Sequence, residues 1–353
     1  QIIPKIRKTN NLVLNPRNSA TAFRFLLAKS ATLPNSETKI ILSSQMRKRP
    51  HKRFYEILKK LGAEILEFDS FIIVKGTNLN GGRVIIPANI SSQFISALLL
   101  IAPVYKQDLI LELEGEIVSK KYIELTLKIM KDFGVETKFM QNQILVHSGQ
   151  KYENPGIYRI EPDYSSAAYF WALGSVSENF ICTKEIFPKT VQADFRFRKI
   201  LQQMGAEIKI SNDKICIKSK KLKGIEIDMK DMPDQVPTLA VLALLAESQT
   251  IIKNISHLRY KESDRINVLI AEIRKIGGKI EYSDNNLVIY PLENPPRKVI
   301  INSHDDHRIT MSFQILKEMF PYLEINGKKA VEKSFPDFFV KLNQLRKSSD
   351  SIY

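Results

Sequence analysis

The chain has 353 residues, enough for two domains of ordinary size, and 44% of them are hydrophobic and 26% charged. With only 14 Gly, 16 Pro and 2 Cys, the composition excludes collagen-like, low-complexity and disulfide-scaffold proteins. The net charge of +15 permits nucleic acid, an anionic membrane or acidic small molecules as partners. Because the lysines are spread along the whole chain, we attribute most of this charge to AT-rich codon usage and keep nucleic-acid binding as an alternative.

A phrase of helix, glycine and two strands recurs four times along the chain. Each copy has an amphipathic helical pattern, then a glycine, then two short strand patterns joined by a polar turn such as Asp284-Asn285. Glycine is favoured where a helix ends because it adopts left-handed backbone angles without a steric penalty. The glycines are spaced by 72, 71 and 72 residues and are Gly62, Gly134, Gly205 and Gly277.

A second phrase has the same period and consists of a polar cluster before a helix that is apolar on nearly all sides. A helix apolar all round is buried, and a Ser or Asp before it is typical of an N-cap. Each unit of about 72 residues therefore has a strand, a buried helix, a strand, an amphipathic helix and two strands, which predicts an α/β protein of packed α+β repeats. The five copies are spaced by 72, 72, 71 and 71 residues and begin at Ser19, Ser91, Asp163, Asp234 and Asp305.

The pattern is interrupted at residues 153–162, where Pro155, Gly156 and Pro162 lie close together. We therefore predict two domains, residues 1–160 and 161–353. The two cysteines, Cys182 and Cys216, each lie in an apolar stretch. For them we expect buried free thiols and a reducing compartment.

The first turns of the five buried helices present unpaired N–H groups and the positive ends of helix dipoles, which attract anions. If these N-termini face one cleft, that cleft binds anions. The alternative is five ordinary N-caps, and repetition alone does not decide between the two.

Four charged stretches bear on this choice, at residues 46–50, 258–266, 303–313 and 332–338. The second places Arg259, Lys261 and Arg265 at a helix start, where cations are unfavourable unless an anion or carboxylates offset them. A solvated charge run is the alternative for this stretch, and a surface turn is the alternative for the first and the last.

The stretch 303–313 contains two histidines and two aspartates. His304 and His307 are three residues apart with no third His or Glu at ligand spacing, so we predict no metal site. We expect instead that Asp306 orients His307 and that Arg308 faces an anion.

Taken together, these stretches resemble the 5-enolpyruvylshikimate-3-phosphate synthase (EPSP synthase) family. The family's motifs match residues 91–94, 163–170, 261–265, 306–308 and 334–339 in order, and the resemblance covers essentially the whole chain. It implies an inside-out α/β barrel of repeated units in two domains, with the active site in the interdomain cleft. The related family that acts on UDP-N-acetylglucosamine carries a reactive cysteine in a loop, and neither cysteine here has that setting.

The reaction implied by the resemblance is transfer of the enolpyruvyl group of phosphoenolpyruvate to the 5-hydroxyl of shikimate 3-phosphate, with release of phosphate. No metal or organic cofactor, nucleic acid or membrane is expected to take part, and a cytoplasmic monomer is implied. The alternatives are an inactive or degenerate truncated homologue and a basic nucleic-acid-binding protein.

The resemblance also implies roles for individual residues. The expected shikimate 3-phosphate ligands of the first domain are Ser91, Ser92, Gln93, Ser119 and Tyr122. In the second domain, Asp234 and Lys261 would hold the shikimate hydroxyls. The expected phosphoenolpyruvate ligands are Thr21, Arg49, Arg265, His307, Arg308 and Lys333. Proton transfer falls to Glu262 and Asp234, with Lys333 stabilising or shuttling charge, and their individual roles stay open.

Three departures from the family pattern qualify these expectations. Nothing before Ser19 supplies the family's Lys-Ser…Arg motif, so we expect the 353-residue chain to lack one unit and to have little activity and stability by itself. Ala20 replaces a glycine at which the backbone approaches phosphoenolpyruvate. His257 replaces the usual Asn or Ser on the shikimate side.

Overall fold

The computed structural model of the chain describes residues 11–187, 189–211, 213–294 and 298–349. The chain forms two compact units, the first ending at Tyr158 and the second beginning at Arg159. Both units mix helices with small sheets, as the repeat pattern predicts.

The first unit contains two complete repeats. The first repeat comprises β1 (Asn11–Leu14), α1 (Ala20–Ala31), β2 (Glu37–Ile41), α2 (Ser44–Arg47), α3 (Lys52–Lys60), β3 (Glu64–Glu67) and β4 (Phe71–Lys75). The second comprises β5 (Gly82–Pro87), α4 (Ser92–Ile101), a 3₁₀ turn at Ala102–Val104, β6 (Leu109–Glu114), α5 (Lys120–Asp132), β7 (Thr137–Met140) and β8 (Gln143–Val146).

The second unit contains one complete repeat between two shorter ones. The first comprises α6 (Tyr164–Gly174), β9 (Ile181–Lys184), a 3₁₀ turn (Ala193–Arg196), α7 (Phe197–Gln203), β10 (Glu207–Ile210) and β11 (Lys214–Lys218). The complete repeat comprises β12 (Glu226–Asp228), a 3₁₀ turn (Pro233–Gln235), α8 (Val236–Ala243), β13 (Thr250–Lys253), a 3₁₀ turn (Ser256–Tyr260), α9 (Arg265–Lys275), β14 (Ile280–Ser283) and β15 (Asn286–Ile289). The last comprises β16 (Ile300–Asn302), α10 (His307–Met319), β17 (Glu324–Asn326), a 3₁₀ turn (Lys328–Lys333) and α11 (Phe338–Ser349).

The three complete repeats share one sheet topology. Their strand orders are β1-β2-β4-β3, β5-β6-β8-β7 and β12-β13-β15-β14. In each, the first two strands are parallel because a buried helix crosses between them, and the last two form an antiparallel hairpin. The other described sheets have three strands (β10-β11-β9) and two (β16-β17). The described sheets are open, and no closed barrel is formed by the described residues.

The two recurring phrases of the sequence have the predicted structures. The four glycines that follow the amphipathic helices have φ between 81° and 106°, which is the left-handed conformation expected where a helix ends. Asp284 and Asn285 have φ of 48° and 67°, as a tight turn between β14 and β15 requires. The buried helices α1, α4, α6, α8 and α10 begin at intervals of 72, 72, 72 and 71 residues.

These helices form the interior of each unit. All eight residues of α8 are buried, and α10 is buried from Ile309 through Leu316. The two helices are linked by a hydrogen bond between the hydroxyls of Thr238 and Ser312, which lie 3.0 Å apart. Among the described residues, no helix is long and apolar enough to cross a membrane.

The expectation of two free thiols is wrong. Cys182 in β9 and Cys216 in β11 are joined by a disulfide. The antiparallel pairing places the two residues directly opposite each other, and this register could not be read from the separate apolar stretches. Cys182 is moreover exposed and only Cys216 is buried, so the argument for a reducing compartment no longer holds.

Candidate active site

The central feature of the second unit is a buried arginine bound by three carboxylates. The side chain of Arg265 is only 1% exposed. Its Nε donates to Asp306 Oδ2 at 2.8 Å, and its Nη1 donates to Asp234 Oδ1 at 2.9 Å. Its Nη2 donates to Glu262 Oε2 at 2.8 Å and to Asp306 Oδ1 at 3.3 Å. The sequence expectation that cations at this helix start are offset by carboxylates is therefore fulfilled inside the protein.

The local sequence explains how Arg265 reaches this position. Asp264 caps α9 by accepting a hydrogen bond from the backbone N–H of Asn267 at 3.1 Å. The cap fixes Arg265 as the first helical residue, and its side chain points into the interior. Glu262 lies three residues earlier, which brings its carboxylate beside the guanidinium.

Asp306 plays a different part from the one predicted. Its carboxylate is fully buried and accepts hydrogen bonds from the Arg308 backbone N–H at 2.9 Å and from Ser263 Oγ at 3.0 Å, besides those from Arg265. It thus caps α10 and orients Arg265, not the His307 ring. The Nδ1 of His307 is buried and forms no hydrogen bond with the described residues. A capping carboxylate is directed at the backbone of its own helix, which accounts for the difference.

Asp234 begins the fourth copy of the polar phrase, but it binds two arginines and does not cap its helix. The 3₁₀ turn Pro233–Gln235 separates it from α8, and its carboxylate, 20% exposed, lies between two arginines. Its Oδ1 accepts from Arg265, and its Oδ2 accepts from Arg308 Nη2 at 2.9 Å. Arg308 Nη1 also donates to the hydroxyl of Tyr169, at 3.3 Å.

Glu262 connects Arg265 to Lys333. Its Oε1 accepts a hydrogen bond from Lys333 Nζ at 2.5 Å, while its Oε2 accepts from Arg265. Lys333 ends the 3₁₀ turn Lys328–Lys333, and its side chain is 17% exposed. The lysine and the carboxylate are therefore in direct contact at the edge of the buried cluster.

The charges of this cluster determine its protonation. Burial by itself would raise the pKa of Asp234, but the charges of Arg308, Lys261 and Arg265 outweigh burial and hold the pKa well below its usual range. Burial opposes the charged form of Arg265 too, yet the three carboxylates raise its pKa further. Asp234 and Arg265 therefore both stay ionised throughout the physiological range.

Two histidines of the site are buried and neutral. Burial, with Lys261 next in effect, lowers the pKa of His257 to about 3. Burial and Arg308 lower the pKa of His307 to about 3. The Nε2 of His257 is buried and forms no hydrogen bond with the described residues. Neither imidazole is thus charged at neutral pH, and each has one buried nitrogen without a hydrogen-bond partner among the described residues.

The first unit brings four polar side chains together at the start of α4. Ser91 caps this helix by accepting from the Gln93 backbone N–H at 3.3 Å. Arg24 Nη1 donates to Ser91 Oγ at 3.1 Å and to Gln93 Oε1 at 2.6 Å. The Gln93 Nε2 donates to Thr21 Oγ1 at 2.9 Å, which joins the start of α1 to the start of α4.

The other predicted residues of the first unit lie at helix starts. Ala20 is the first residue of α1 and is 4% exposed, and Ser92 is the first residue of α4 and is 6% exposed. Ser119 has φ of 56° and directly precedes α5, which contains Tyr122 in its first turn. Arg49 lies between α2 and α3 and, after burial and Arg24, is the third cause that lowers the pKa of His51, to about 3.

Sequence reasoning missed several side chains that hold these residues. Arg24 and Tyr169 lie within helices that read as apolar, and Ser263 is an ordinary member of a charged stretch. A single arginine inside the buried face of α1 was the available signal, because a buried charge needs specific partners. The described residues contain no group of three or more His, Cys, Asp or Glu that could hold a metal.

Comparison with solved structures identifies the fold. The fold is that of solved enolpyruvyl transferases: the enolpyruvyl transferase NikO from Streptomyces tendae matches 92% of the chain and 74% of its own, with a TM-score of 0.70 at 14% identity. An EPSP synthase from Acinetobacter baumannii matches 94% of the chain and 78% of its own, with a TM-score of 0.74 at 25% identity.

Sequence comparison defines the family. The family model of EPSP synthase (3-phosphoshikimate 1-carboxyvinyltransferase) matches residues 2–342, and the chain belongs to this family. A 3-phosphoshikimate 1-carboxyvinyltransferase from Photobacterium damsela subsp. piscicida is 37% identical over 333 residues, which are 93% of this chain and 78% of the relative. A 3-phosphoshikimate 1-carboxyvinyltransferase from Actinobacillus pleuropneumoniae is 36% identical over 344 residues, which are 95% of this chain and 79% of the relative. The nucleic-acid-binding alternative receives no support from these relatives.

The three-carboxylate cluster predicts a large effect of removing Arg265. Arg265→Met leaves the buried Asp306 and the partly buried Asp234 and Glu262 without their shared cation, and we expect the unfolding free energy to fall by about 3 to 5 kcal/mol. Urea denaturation of parent and variant measures it. The control is Arg53→Met, because Arg53 and its partner Glu56 are both about half exposed and such pairs contribute about 0 to 1 kcal/mol. Equal losses in the two variants would contradict the assigned role.

The buried His257 predicts a specific pH dependence of stability. Its folded pKa of about 3 lies below the value of about 6.5 in an unfolded chain. Between these values only the unfolded chain takes up the proton, so stability falls as pH falls. Unfolding free energies at pH 6.5 and 4.5 should show a loss smaller by about 1 to 3 kcal/mol in His257→Asn than in the parent. A loss in His257→Asn as steep as that in the parent would be inconsistent with a buried neutral imidazole.

Proposed function

We propose that the residues of this site carry out the family's reaction on phosphoenolpyruvate and shikimate 3-phosphate. The observation that supports this most is the cluster in which Arg265 holds Asp234 and Glu262 beside Arg308 and Lys333. The cluster combines fixed acid–base groups with cations, and the reaction needs both.

The chemistry sets two requirements. In the addition step a bond forms between the 5-hydroxyl oxygen and C2 of phosphoenolpyruvate, the hydroxyl loses its proton, and the methylene carbon gains one. In the elimination step the C2–O bond to phosphate breaks and the methyl carbon loses a proton. A hydrogen-bond acceptor is therefore needed at the hydroxyl, and a reversible proton donor is needed at the carbon.

We assign the acceptor role to Asp234. Its pKa is held well below the usual range by Arg308, Lys261 and Arg265 against the effect of burial, so it remains a carboxylate and does not donate a proton. A carboxylate fixed by two arginines suits the 5-hydroxyl, because it accepts the hydrogen bond of the hydroxyl and orients it. As charge develops, the hydroxyl proton passes through this contact to the phosphate that leaves in the elimination step.

We assign proton exchange with the methylene carbon to the Glu262–Lys333 pair. The two groups share a hydrogen bond of 2.5 Å, and Arg265 fixes the other oxygen of Glu262. A proton delivered in the addition step and recovered in the elimination step passes through one acid–base pair, which microscopic reversibility favours.

The remaining cations would hold the anionic groups of the substrates. Opposite unit charges 4 Å apart at an effective dielectric of 20 interact by about 4 kcal/mol, so phosphates and carboxylates need such partners. We assign the cations Arg49, Arg308 and Lys333 to phosphoenolpyruvate, together with the neutral side chains of His307 and Thr21. We assign Lys261 to the shikimate side, together with the neutral imidazole of His257. Arg265, whose donors bind three carboxylates, acts mainly by fixing them.

The first unit would bind shikimate 3-phosphate through hydroxyl and amide groups at helix starts. Ser91, Ser92, Gln93, Ser119 and Tyr122 all lie before or within the first turns of α4 and α5. Backbone N–H groups at these starts add to the affinity for phosphate. We further propose that the enzyme acts as a cytoplasmic monomer, which light scattering of the purified protein tests for the oligomeric state.

The reaction is tested with the full gene product. We expect phosphate release only when both substrates are present, with no change on addition of a chelator. Tight, salt-sensitive binding of DNA or RNA without phosphate release would overturn the proposed function.

The assigned proton-transfer roles predict the effects of two substitutions. Asp234→Asn and Glu262→Gln should each lower kcat by about 100-fold or more, since positioned acids and bases supply roughly 10² to 10⁴. Phosphate release measures the rates, and circular dichroism checks the fold. Asp69→Asn and Glu281→Gln, at exposed positions, make the same chemical changes as controls. Near-normal turnover in either site variant would remove that residue from the mechanism.

The buried methyl group of Ala20 predicts a change in inhibitor binding. An extra methyl in a tight site costs about 1 to 3 kcal/mol, and glyphosate, which inhibits much of this family, should be more affected than the compact phosphoenolpyruvate. We expect the inhibition constant of glyphosate to be about fivefold or more lower in Ala20→Gly than in the parent. The KM for phosphoenolpyruvate should fall by a smaller factor. Ala22→Gly, in the same helical turn, controls for lost helix propensity. Equal inhibition of parent and Ala20→Gly would refute the steric explanation.

A further inference from the structure

Arg24 occupies a fixed place inside the first unit. It lies in the second turn of α1 and is 3% exposed. Its guanidinium lies over the ring of Phe94, 4.5 Å from the ring centroid, and Phe94 itself stacks on Phe54 at 5.0 Å. The arginine is thus held by packing from α4 as well as by the hydrogen bonds that it donates to that helix.

These hydrogen bonds determine which way the Gln93 amide faces. A guanidinium only donates, so the amide oxygen of Gln93 must face Arg24 and the amide nitrogen must face away. The nitrogen carries two hydrogens, and Thr21 Oγ1 accepts one of them at 2.9 Å. Arg24 therefore makes the outer side of this amide a hydrogen-bond donor.

The same arginine sets the polarity of the Ser91 hydroxyl. The oxygen accepts one hydrogen bond from Arg24 at 3.1 Å and another from the backbone N–H of Gln93 at 3.3 Å. With both lone pairs engaged, the hydroxyl hydrogen is the part of Ser91 that remains to bind a partner.

A ligand that binds to Ser91 and Gln93 contacts hydrogen-bond donors. The positive charge of Arg24 and the N-terminus of α4 lie next to these donors. A phosphate has only acceptor oxygens and negative charge, and it fits this polarity, whereas a sugar hydroxyl gains no such preference. In the proposed function, on which this inference rests, Ser91 and Gln93 are assigned to shikimate 3-phosphate.

We propose that Arg24 is a positioning residue that gives this site its selectivity for the phosphate of shikimate 3-phosphate, by forcing Ser91 and Gln93 to present hydrogen-bond donors. Arg24 acts through these two side chains and need not contact the substrate. The guanidinium matters because it lies over the Phe94 ring while its Nη1 donates to both oxygens, and the shorter lysine with its compact ammonium does not keep both contacts.

The first arm of the test uses Arg24→Lys in the full gene product. We expect KM for shikimate 3-phosphate to rise about 10-fold or more, as loss of a hydrogen bond to a charged group implies, while kcat and KM for phosphoenolpyruvate change less than about threefold. Calorimetry should show a similar loss of affinity for shikimate 3-phosphate but not for shikimate, which lacks the phosphate. Arg53→Lys, at an exposed position, should match the parent.

The second arm uses Gln93→Glu, which is safe for folding because Gln93 is partly exposed. A glutamate still accepts from Arg24 but cannot donate, so KM for shikimate 3-phosphate should rise at least as much as in Arg24→Lys. The single variant Gln93→Ala and the double variant Arg24→Lys/Gln93→Ala complete a double-mutant cycle with Arg24→Lys. The loss of affinity in the double variant should be smaller than the product of the losses in these two single variants, because the arginine acts through the glutamine.

The outcomes separate this inference from the proposed function. A parent enzyme that releases no phosphate overturns both. An active parent whose Arg24→Lys variant weakens both substrates equally, weakens shikimate as much as its phosphate, or shows no change overturns the positioning role alone. The positioning role is also overturned if the loss of affinity in the double variant equals the product of the losses in the single variants. Unchanged affinity of Gln93→Glu for shikimate 3-phosphate overturns the inference that Gln93 acts as a hydrogen-bond donor to the phosphate.

Discussion

The second unit depends on one arginine that is shared by three carboxylates. Burying a charge is costly, and Arg265 is tolerated because nearly every direction of its guanidinium meets a carboxylate oxygen. The reverse also holds: Asp234, Glu262 and Asp306 would repel one another in the interior without it. Since the carboxylates come from different elements, the same interaction joins these elements and fixes the three carboxylates relative to one another.

The surrounding cations complete this arrangement. Arg308 and Lys333 bind carboxylates that Arg265 already holds, so Asp234 and Glu262 each contact two cations. In such a cluster a substrate anion can approach Arg308 or Lys333 without leaving Asp234 or Glu262 unpaired. The histidines beside it are neutral because burial and neighbouring cations disfavour another positive charge.

The repeats could be predicted from the sequence because they depend on local patterns. Left-handed glycines and polar caps recur every 72 residues or so, and each requires only its own neighbours. Asp234 and Asp306 both lie in the polar cluster before a buried helix. Asp234 binds two arginines and does not cap α8, whereas Asp306 caps α10 and also binds Arg265. Those contacts join residues 31 to 74 positions apart, which spacing does not reveal. The Cys182–Cys216 pairing depends likewise on strand register, and the role of Arg24 depends on how α1 packs against α4.

The hydrogen bond between the hydroxyls of Thr238 in α8 and Ser312 in α10 lies close to the ion pair between Asp234 and Arg308. Thr238 lies in the first turn of α8, directly after the 3₁₀ turn that contains Asp234, and Ser312 lies one helical turn after Arg308 in α10. Two successive side-chain contacts, one ionic and one neutral, therefore link the two segments. Sliding α10 by a turn relative to α8 would break both contacts together, so the ion pair between Asp234 and Arg308 depends on the register of the two helices in the interior of the unit.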